Sequence, residues 1–215
     1  RELLQVLEAA QETSQLSGGA FDVTVGPLVN LWGFGPGAGG DRVPDDDEIQ
    51  QAQARVGYQR LHLRSDPPAL KKDLPDLYLD LSAIAKGYGV DAVTAYLESL
   101  GLQNFLVEIG GEVWGKGNNA LGTPWRIAVE KPSPGERAVY AIVQIDEQGI
   151  ATSGDYRNYF EQQGQRFSHT IDPASGRPVT HSLASVTVLG ESVMRADALA
   201  TALLVLGAER GYRLA

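Results

Sequence analysis

Residues 77–101 constrain the fold more than any other stretch of the chain. Residues 77–81 alternate between apolar and polar types, which is typical of a strand. Apolar residues then recur at helical spacing over residues 84–100, and Gly101 is placed to end the helix. Ser82 is of a type that often caps the start of a helix. The pattern therefore predicts a strand that runs directly into a helix.

Two charged residues flank this predicted junction. Asp80 is the last polar residue of the predicted strand, and Lys86 lies in the first helical turn. The first turn of a helix presents unpaired N–H groups that attract anions, and a carboxylate beside it can accept hydrogen bonds from the same ligand. The junction therefore predicts a ligand site, although an ordinary packing unit with a surface lysine would show the same pattern.

Composition excludes several kinds of chemistry. The chain has 215 residues, of which 43% are hydrophobic, so it can bury a full core. Its formal net charge of -9 argues against a nucleic-acid partner, because such binding depends on Lys and Arg that neutralise phosphates. It contains no cysteine, so disulfides, thiolate metal sites and cysteine nucleophiles are excluded.

The ends of the chain predict a trimmed protein. The sequence opens on Arg1 within a helical pattern, and a new helical pattern begins after Gly207, shortly before the last residue. No apolar run approaches the roughly 18 residues that a membrane-spanning helix needs. We therefore expect a single catalytic domain over residues 1–215 that is truncated at both termini, and contact with a membrane only through an anchor absent from this chain.

The remaining patterns predict an α+β fold. Residues 21–25 alternate like a short strand, Pro27 is well placed to begin a helix, and residues 45–56 resemble a helix that Gly57 ends. The glycine-rich segment 33–47 lacks the Lys and Ser or Thr of a P-loop and predicts a surface loop. Several strands follow. Residues 104–117 indicate a buried strand that Gly110 and Gly111 break, which suggests a bulge or a close backbone approach. Two later strands are separated by a KPSPG turn at 131–135. We predict a mixed, sheet-rich core with flanking helices, in two lobes with the site between them.

Polar residues near the end of a predicted strand suggest phosphate binding and proton transfer. Thr152, Ser153 and Gly154 end this strand, where a hydroxyl-rich turn can hold a phosphate, although a simple hairpin would also use these residues. His169 lies in an extended segment among Ser, Thr and Asp, where an imidazole can accept a hydroxyl proton near neutrality. A histidine that only satisfies its strand neighbours would look the same.

The last predicted helix carries a carboxylate one turn before a hydroxyl. Asp197 and Thr201 are four residues apart and share one helix face. Hard cations such as Mg²⁺ take oxygen ligands, often one or two carboxylates completed by phosphate and water. These two side chains and a backbone carbonyl from the turn after Asp80 would supply half a coordination shell. A helix aspartate that happens to precede a threonine remains the alternative.

Five motifs in register resemble one known family. They read GGAFDVTVGPLVNLWGFG, DLSAIAKGYGVD, GIATSGDYRNYF, SHTIDPASGRPV and ADALATALLVLG, and together they span almost the whole chain. This pattern closely resembles the ApbE-type flavin transferases, FAD:protein FMN transferases. The resemblance implies an enzyme that uses Mg²⁺ to split FAD, releases AMP and attaches FMN by a phosphoester to a Thr or Ser of a target flavoprotein. It also implies a periplasmic protein, lipid-anchored at the outer face of the cytoplasmic membrane.

The resemblance also assigns residues to the site. It implies flavin dinucleotide contacts from Ala20, Phe21, Asp22, Asp80, Lys86 and Ile171, phosphate contacts from Ser153 and Gly154, metal ligands from Asp197, Thr201 and the Ala83 carbonyl, and a general base in His169. Two other functions share these residues. One is a hydrolase that cleaves FAD to FMN and AMP with water as acceptor, and the other is a flavin-binding module without chemistry.

Overall fold

The structure is a computed structural model that describes residues 1–36, 40–133 and 138–215. It confirms an α+β fold of several small antiparallel sheets with flanking helices. The helices are α1 (Glu2–Leu16), α2 (Gly26–Leu31), α3 (Asp46–Gln53), α4 (Ala85–Ser99) and α5 (Val193–Leu214). The strands are β1 (Leu61–Arg64), β2 (Ala69–Lys72), β3 (Phe105–Ile109), β4 (Glu112–Lys116), β5 (Trp125–Glu130), β6 (Val139–Ile145), β7 (Gln148–Gly154), β8 (Tyr159–Gln162), β9 (Gln165–Ser168), β10 (Ile171–Asp172), β11 (Arg177–Pro178) and β12 (Ser185–Gly190). None of the described helices combines the length and apolar character needed to cross a bilayer.

The helix ends follow local rules that the sequence displays. Asp45 and Glu48 form a reciprocal capping box at the start of α3, and each satisfies a backbone N–H of the other. Gly101 ends α4 with a φ of 78°, a left-handed conformation that glycine adopts without steric cost. Gly207, with a φ of 75°, interrupts α5, so a separate helical segment follows it as the sequence predicts.

A four-stranded antiparallel sheet with the order β12-β7-β4-β3 is the largest sheet in the described ranges. Strands β3 and β4 form a hairpin whose turn is Gly110 and Gly111, with φ values of 62° and 105°. Positive φ at both central residues matches the right-handed twist of the flanking strands. The sequence suggested a bulge or a close backbone approach at these glycines, and the structure shows a tight hairpin turn.

The chain divides into two compact units. Unit 1 comprises Arg1–Leu81, Arg157–Leu183 and Ala202–Ala215, and unit 2 comprises Ser82–Tyr156 and Ala184–Thr201. The four-stranded sheet, α4 and the first turns of α5 therefore belong to unit 2. The prediction of one catalytic domain over the whole chain stays a prediction.

Each unit has its own apolar core. In unit 1, the indole of Trp32 stacks on Phe167 with ring centroids 5.6 Å apart, and its N–H donates to the Gly176 carbonyl over 2.8 Å. The buried cluster around this indole consists of Leu28, Trp32, Ile49, Ala52, Phe160, Phe167 and Ile171. In unit 2, α4, the sheet and the start of α5 share a buried cluster of Val90, Phe105, Val107, Trp114 and Val193.

The predicted strand before α4 is not a strand. Residues 77–81 lie outside every sheet formed by the described residues. Ile84 precedes α4 without a side-chain cap, so the prediction that Ser82 caps this helix is also wrong. The Asp80 N–H instead donates to the Val23 carbonyl over 2.7 Å. Of the three leucines in this stretch only Leu77 is buried, at 2% exposed, whereas Leu79 and Leu81 are half-buried, as Asp80 is.

Three smaller predictions also differ from the structure or lie outside it. Residues 21–24 are buried, but residues 21–25 form turns rather than a strand, because no strand in the described ranges pairs with them. Helix α3 ends at Gln53, three residues before the predicted end at position 56. Parts of the predicted glycine-rich loop and of the KPSPG turn, at residues 37–39 and 134–137, lie outside the described residues.

Candidate functional site

The starts of two helices in unit 2 bring a lysine and an aspartate together. The Lys86 ammonium lies 3.3 Å from each carboxylate oxygen of Asp197, and the Gly87 N–H donates to Asp197 Oδ2 over 3.1 Å. Asp197 is only 3% exposed. Burial raises the pKa of Asp197, and the charge of Lys86 and the N–H of Gly87 oppose that rise.

Close helix packing and an aspartate cap hold α5 against α4. A Cβ atom at Gly87 would lie 2.4 Å from the Val193 carbonyl oxygen, so only glycine permits this approach. The Asp91 carboxylate accepts hydrogen bonds from the Ser192 hydroxyl and from the N–H groups of Val193 and Met194, over 2.7, 2.8 and 3.1 Å. These contacts satisfy N–H groups that a helix start leaves unpaired, and they fix where Asp197 lies along α5.

A buried glutamate completes the charged cluster. Glu112, the first residue of β4, is 3% exposed, and its Oε1 lies 3.5 Å from the Lys86 ammonium. Its Oε2 is buried and has no hydrogen-bond partner in the part of the chain that the structure describes. Burial and the nearby charge of Asp197 raise the pKa of Glu112 to about 7, and Lys86 opposes this shift.

This raised pKa predicts how stability changes with pH. The folded protein binds the Glu112 proton up to a pKa of about 7 whereas the unfolded chain releases it near 4.5, so the free energy of unfolding falls as pH rises between these values. We expect Glu112→Gln to reduce this fall by about 3 kcal/mol in denaturation curves at several pH values without divalent cations. Glu108→Gln, a change at an exposed acid of the same hairpin, is the control. An unchanged pH dependence in Glu112→Gln would contradict the assignment.

The predicted hydroxyl residues are also joined in unit 2. The hydroxyls of Ser153 in β7 and Thr201 in α5 lie 2.9 Å apart. Thr201 is one helical turn after Asp197, and Gly154 ends β7 opposite Ser185 of β12. The structure therefore links the candidate phosphate contact Ser153 to the candidate metal ligand Thr201.

The donor set suits a hard cation. Ala83 lies in the turn before α4, four residues ahead of Gly87, whose N–H is directed at Asp197. Asp197, Thr201 and the Ala83 carbonyl offer only oxygen atoms, which Mg²⁺ prefers. No group of three His, Asp or Glu side chains gathers at one point in residues 1–36, 40–133 and 138–215, so phosphate and water oxygens would have to complete a shell. The ammonium on both Asp197 oxygens shows that this position accepts positive charge.

The residues predicted to contact flavin near the start of the chain are buried in unit 1. Ala20, Phe21 and Asp22 are 7%, 2% and 7% exposed. The Asp22 carboxylate accepts hydrogen bonds from the N–H and hydroxyl of Thr24 and from the N–H of Tyr58, over 2.8, 2.7 and 2.9 Å. Burial raises the pKa of Asp22, and these hydrogen bonds oppose the rise. The contacts show that Asp22 organises this turn, and its part in flavin binding stays a prediction.

The structure fixes the orientation of His169 in unit 1. Its backbone N–H donates to the Asn158 carbonyl over 3.0 Å, and its Nδ1 lies 3.1 Å from the same oxygen. A carbonyl can only accept, so Nδ1 carries a proton, and in the neutral ring Nε2 then carries the lone pair. This is the form in which an imidazole acts as a general base through Nε2. Ile171 is 5% exposed and packs in the apolar core, and its predicted flavin contact is untested.

Comparison with known proteins identifies the family. The profile of the ApbE family matches residues 1–215. The chain belongs to the ApbE family. Over 214 residues it is 55% identical to the FAD:protein FMN transferase of Vibrio cholerae, covering 98% of this chain and 64% of that protein. It is 45% identical to the protein of the same name in Salmonella typhimurium, covering 99% of this chain and 61% of that protein. The chain thus spans less than two thirds of the length of these relatives.

Solved structures of ApbE proteins share the fold. The flavin transferase ApbE from Vibrio cholerae matches with a TM-score of 0.90 and 52% identity, over 100% of this chain and 67% of that chain. The ApbE protein from Thermotoga maritima matches with a TM-score of 0.88 at 33% identity, over 100% of this chain and 68% of that chain. The fold is therefore retained at much lower sequence identity.

Sequence reasoning missed two residues of this site in the ApbE chain. Glu112 follows two glycines in a stretch predicted to be a buried strand. A buried acid needs a partner, so an acid in such a strand could have indicated a site residue. Asp91 lies in α4 and contacts the start of α5, about a hundred residues later in the chain, so no local pattern could reveal it.

Proposed function

We propose that this protein is a Mg²⁺-dependent FAD:protein FMN transferase. It cleaves FAD, releases AMP, and attaches FMN through a phosphoester to a Thr or Ser of a target flavoprotein. The observation that carries the proposal is the buried Asp197 carboxylate, with cationic Lys86 on both oxygens and Thr201 one turn later. The names of the relatives support the same activity.

The proposed reaction transfers one phosphoryl group between two oxygens. The acceptor hydroxyl oxygen attacks the FMN-side phosphorus, the bond from that phosphorus to the bridging oxygen breaks, and AMP leaves with that oxygen. His169 Nε2 takes the hydroxyl proton, and its Nδ1–H bond to the Asn158 carbonyl keeps the ring in the required tautomer. The transfer involves no oxidation or reduction, so the flavin ring is transferred unchanged.

Residues of unit 2 would hold the cation and the phosphates. Asp197, Thr201 and the Ala83 carbonyl would bind Mg²⁺, and Ser153, joined to Thr201 by a hydrogen bond, would face the phosphates. When bound, Mg²⁺ supplies neutralisation of the charge that develops on departing AMP. Lys86 adds a positive charge beside the same carboxylate, which favours an anionic substrate there.

One assay tests the proposal against its alternatives. The protein is incubated with FAD, Mg²⁺ and a flavin-acceptor domain, and AMP release and the acceptor mass are followed together. An acceptor that gains one FMN in step with AMP release, with both lost in EDTA, supports the transferase. AMP and free FMN without a mass gain would indicate a hydrolase, and FAD binding without either product would indicate a binding module. Both of these results would overturn the proposal.

A substitution at His169 is expected to affect FMN transfer without affecting FAD binding. We expect His169→Ala to bind FAD with unchanged affinity but to lower the rate of FMN transfer by about 10²–10⁴-fold, the usual contribution of a positioned general base. The backbone hydrogen bond of residue 169 to Asn158 remains in this variant. Flavin fluorescence measures binding and acceptor mass measures transfer.

A second histidine of unit 1 offers a matched control. His62 lies on β1 and pairs with Asp73 at 2.9 Å on the surface, so His62→Ala should transfer FMN at the normal rate. Normal transfer by His169→Ala at saturating FAD would remove His169 from the mechanism.

The proposal extends to partner and location on the strength of family resemblance. The acceptor is a flavoprotein with an accessible Thr or Ser, and the enzyme acts in the periplasm, lipid-anchored at the outer face of the cytoplasmic membrane. Fractionation of cells that express the full-length protein tests the location, and recovery in the soluble cytoplasmic fraction would contradict it.

A further inference from the structure

The Lys86 ammonium is shared between two buried carboxylates. It lies 3.3 Å from Asp197 Oδ2 and 3.5 Å from Glu112 Oε1, and both acid side chains are 4% exposed. The Lys86 side chain is itself 38% exposed, so one partly exposed ammonium faces two acids that are largely shielded from water. Charges that are shielded from water interact more strongly than charges on the surface. The position of the ammonium therefore decides which of the two carboxylates has its negative charge neutralised.

Glu112 has capacity to bind the ammonium more closely. Its Oε2 is buried without a hydrogen-bond partner among the described residues, whereas Asp197 already accepts the Gly87 N–H. A buried carboxylate oxygen without a hydrogen-bond partner destabilises the folded protein. We therefore infer a second state of the site in which Glu112 Oε2 has a hydrogen-bond partner. The Lys86 ammonium already lies beside the other oxygen of the Glu112 carboxylate, so a small movement would bring it within hydrogen-bond distance of Oε2.

The hairpin turn leaves space for that movement. A Cβ atom at Gly110 would lie 3.0 Å from Lys86 Cδ and 3.7 Å from Glu112 Oε2, so glycine at this position opens the space between the lysine stem and the acid. Lys86 also donates to the Ser82 carbonyl over 3.2 Å, which places its ammonium at the edge of the turn that precedes α4. The atoms nearest to a Cβ at Gly110 are all side-chain atoms, so a movement of the lysine stem toward Glu112 at this position would meet no backbone of the turn.

We propose that Lys86 is a tethered counter-ion that holds the Asp197 carboxylate when no divalent cation is bound, and that Glu112 receives its ammonium when a divalent cation occupies Asp197. This inference rests on the proposed function, because that function requires a divalent cation at Asp197. Lys86 and Glu112 are then positioning residues. Together they keep the site compensated in charge both before and after the cation binds.

The proposed exchange predicts opposite changes in cation affinity when the charge of Lys86 or of Glu112 is removed. Lys86 competes with a divalent cation for Asp197, so removing its charge should tighten cation binding. Glu112 draws the ammonium away from the incoming cation, so removing its charge should weaken cation binding, but only while Lys86 is present. This dependence separates the exchange from simple attraction between Glu112 and the metal, which would act regardless of Lys86.

A double-mutant cycle with Mn²⁺ as the probe tests the exchange. Free Mn²⁺ is measured by electron paramagnetic resonance at about pH 8, above the pKa of about 7 of Glu112, for the unaltered protein, Lys86→Met, Glu112→Gln and the double variant. We expect Lys86→Met to bind Mn²⁺ roughly tenfold more tightly and Glu112→Gln to bind it roughly five- to tenfold more weakly. The double variant should match Lys86→Met.

Two results would overturn the inference. One is an equal or larger loss of Mn²⁺ affinity from Glu112→Gln in the Lys86→Met background, which would mean that Glu112 acts on the metal directly. The other is weaker Mn²⁺ binding by Lys86→Met itself. The surface pair Lys116 and Glu98, 2.8 Å apart in the same unit, provides the control, because Lys116→Met and Glu98→Gln should leave Mn²⁺ affinity unchanged.

A further variant separates this inference from the proposed function. If Asp197→Asn binds Mn²⁺ as tightly as the unaltered protein, Asp197 holds no metal, and the metal-dependent function and the exchange both fail. If Asp197→Asn loses Mn²⁺ while the cycle shows no coupling between Lys86 and Glu112, the exchange fails and the metal site stands. The cycle measures cation affinity alone, so catalytic activity does not enter either conclusion.

Discussion

Asp197→Asn is expected to reduce Mg²⁺-dependent AMP release from FAD by about 10³-fold or more. Asparagine has the same shape and keeps an oxygen to accept the Gly87 N–H, so the fold around α4 and α5 should persist. It removes the negative charge that would bind the cation, and metal-ion stabilisation of a phosphoryl transition state is worth several kcal/mol. A 10³-fold loss corresponds to about 4 kcal/mol in activation free energy. Chromatographic quantification of AMP gives the rate.

A second acid of unit 2 controls for the loss of charge alone. Asp146 accepts the Gly117 N–H over 2.7 Å in an exposed loop, and Asp146→Asn should release AMP at the normal rate. Thermal unfolding of both variants shows whether the fold is retained. Normal AMP release by a folded Asp197→Asn protein would eliminate Asp197 as a metal ligand.

Gly87→Ala is expected to lower the free energy of unfolding by about 2 kcal/mol and to abolish AMP release. The added Cβ would meet the Val193 carbonyl oxygen at 2.4 Å and the Met194 Cα at 2.7 Å, and both atoms are backbone that cannot rotate away. Forcing atoms into a packed interface typically costs about 1–3 kcal/mol, and a clash with fixed backbone lies at the upper end. The gain of about 1 kcal/mol from alanine's better helix propensity therefore leaves a net loss of about 2 kcal/mol. Relief of the clash would move α5, and Asp197 with it. Urea denaturation measures the stability.

The same helix offers a glycine that can accept a side chain. At Gly89 the nearest atom to an added Cβ is Ile109 Cδ1 at 3.1 Å, the end of a flexible side chain. Gly89→Ala should therefore change stability by no more than about 1 kcal/mol, in either direction, and leave AMP release intact. Equal stability losses in the two variants would show that the close approach at Gly87 does not limit the packing.

The helices could be predicted from sequence because their signals are local. The apolar spacing of α4 and the left-handed Gly101 that ends it follow from residues within a few turns of one another. The pair of Asp197 and Thr201 was predictable for the same reason, since a spacing of four places both on one helix face. Lys86 was predictable from its place in the first turn of α4.

Strands and tertiary contacts were harder to predict because they depend on partners that are distant in sequence. Alternating residues at 77–81 and 21–25 predicted strands, but alternation does not tell whether a neighbouring strand is available for pairing. Glu112 could not be assigned to the site because its contact with Lys86 depends on how the β3–β4 hairpin packs on α4. The sequence shows an acid at position 112, but it does not show that Lys86 is the partner of this acid.

The cap that Asp91 places on α5 has a consequence for local motion. Helix ends normally fray, because their first N–H groups lack partners and exchange readily with solvent. Here the N–H groups of Val193 and Met194 are held by a side chain from another helix, so the turn leading to Asp197 opens only when α4 and α5 separate. Their amide protons should therefore exchange with deuterium as slowly as those of the helix interior, and the carboxylate proposed to bind the cation stands on backbone that does not fray.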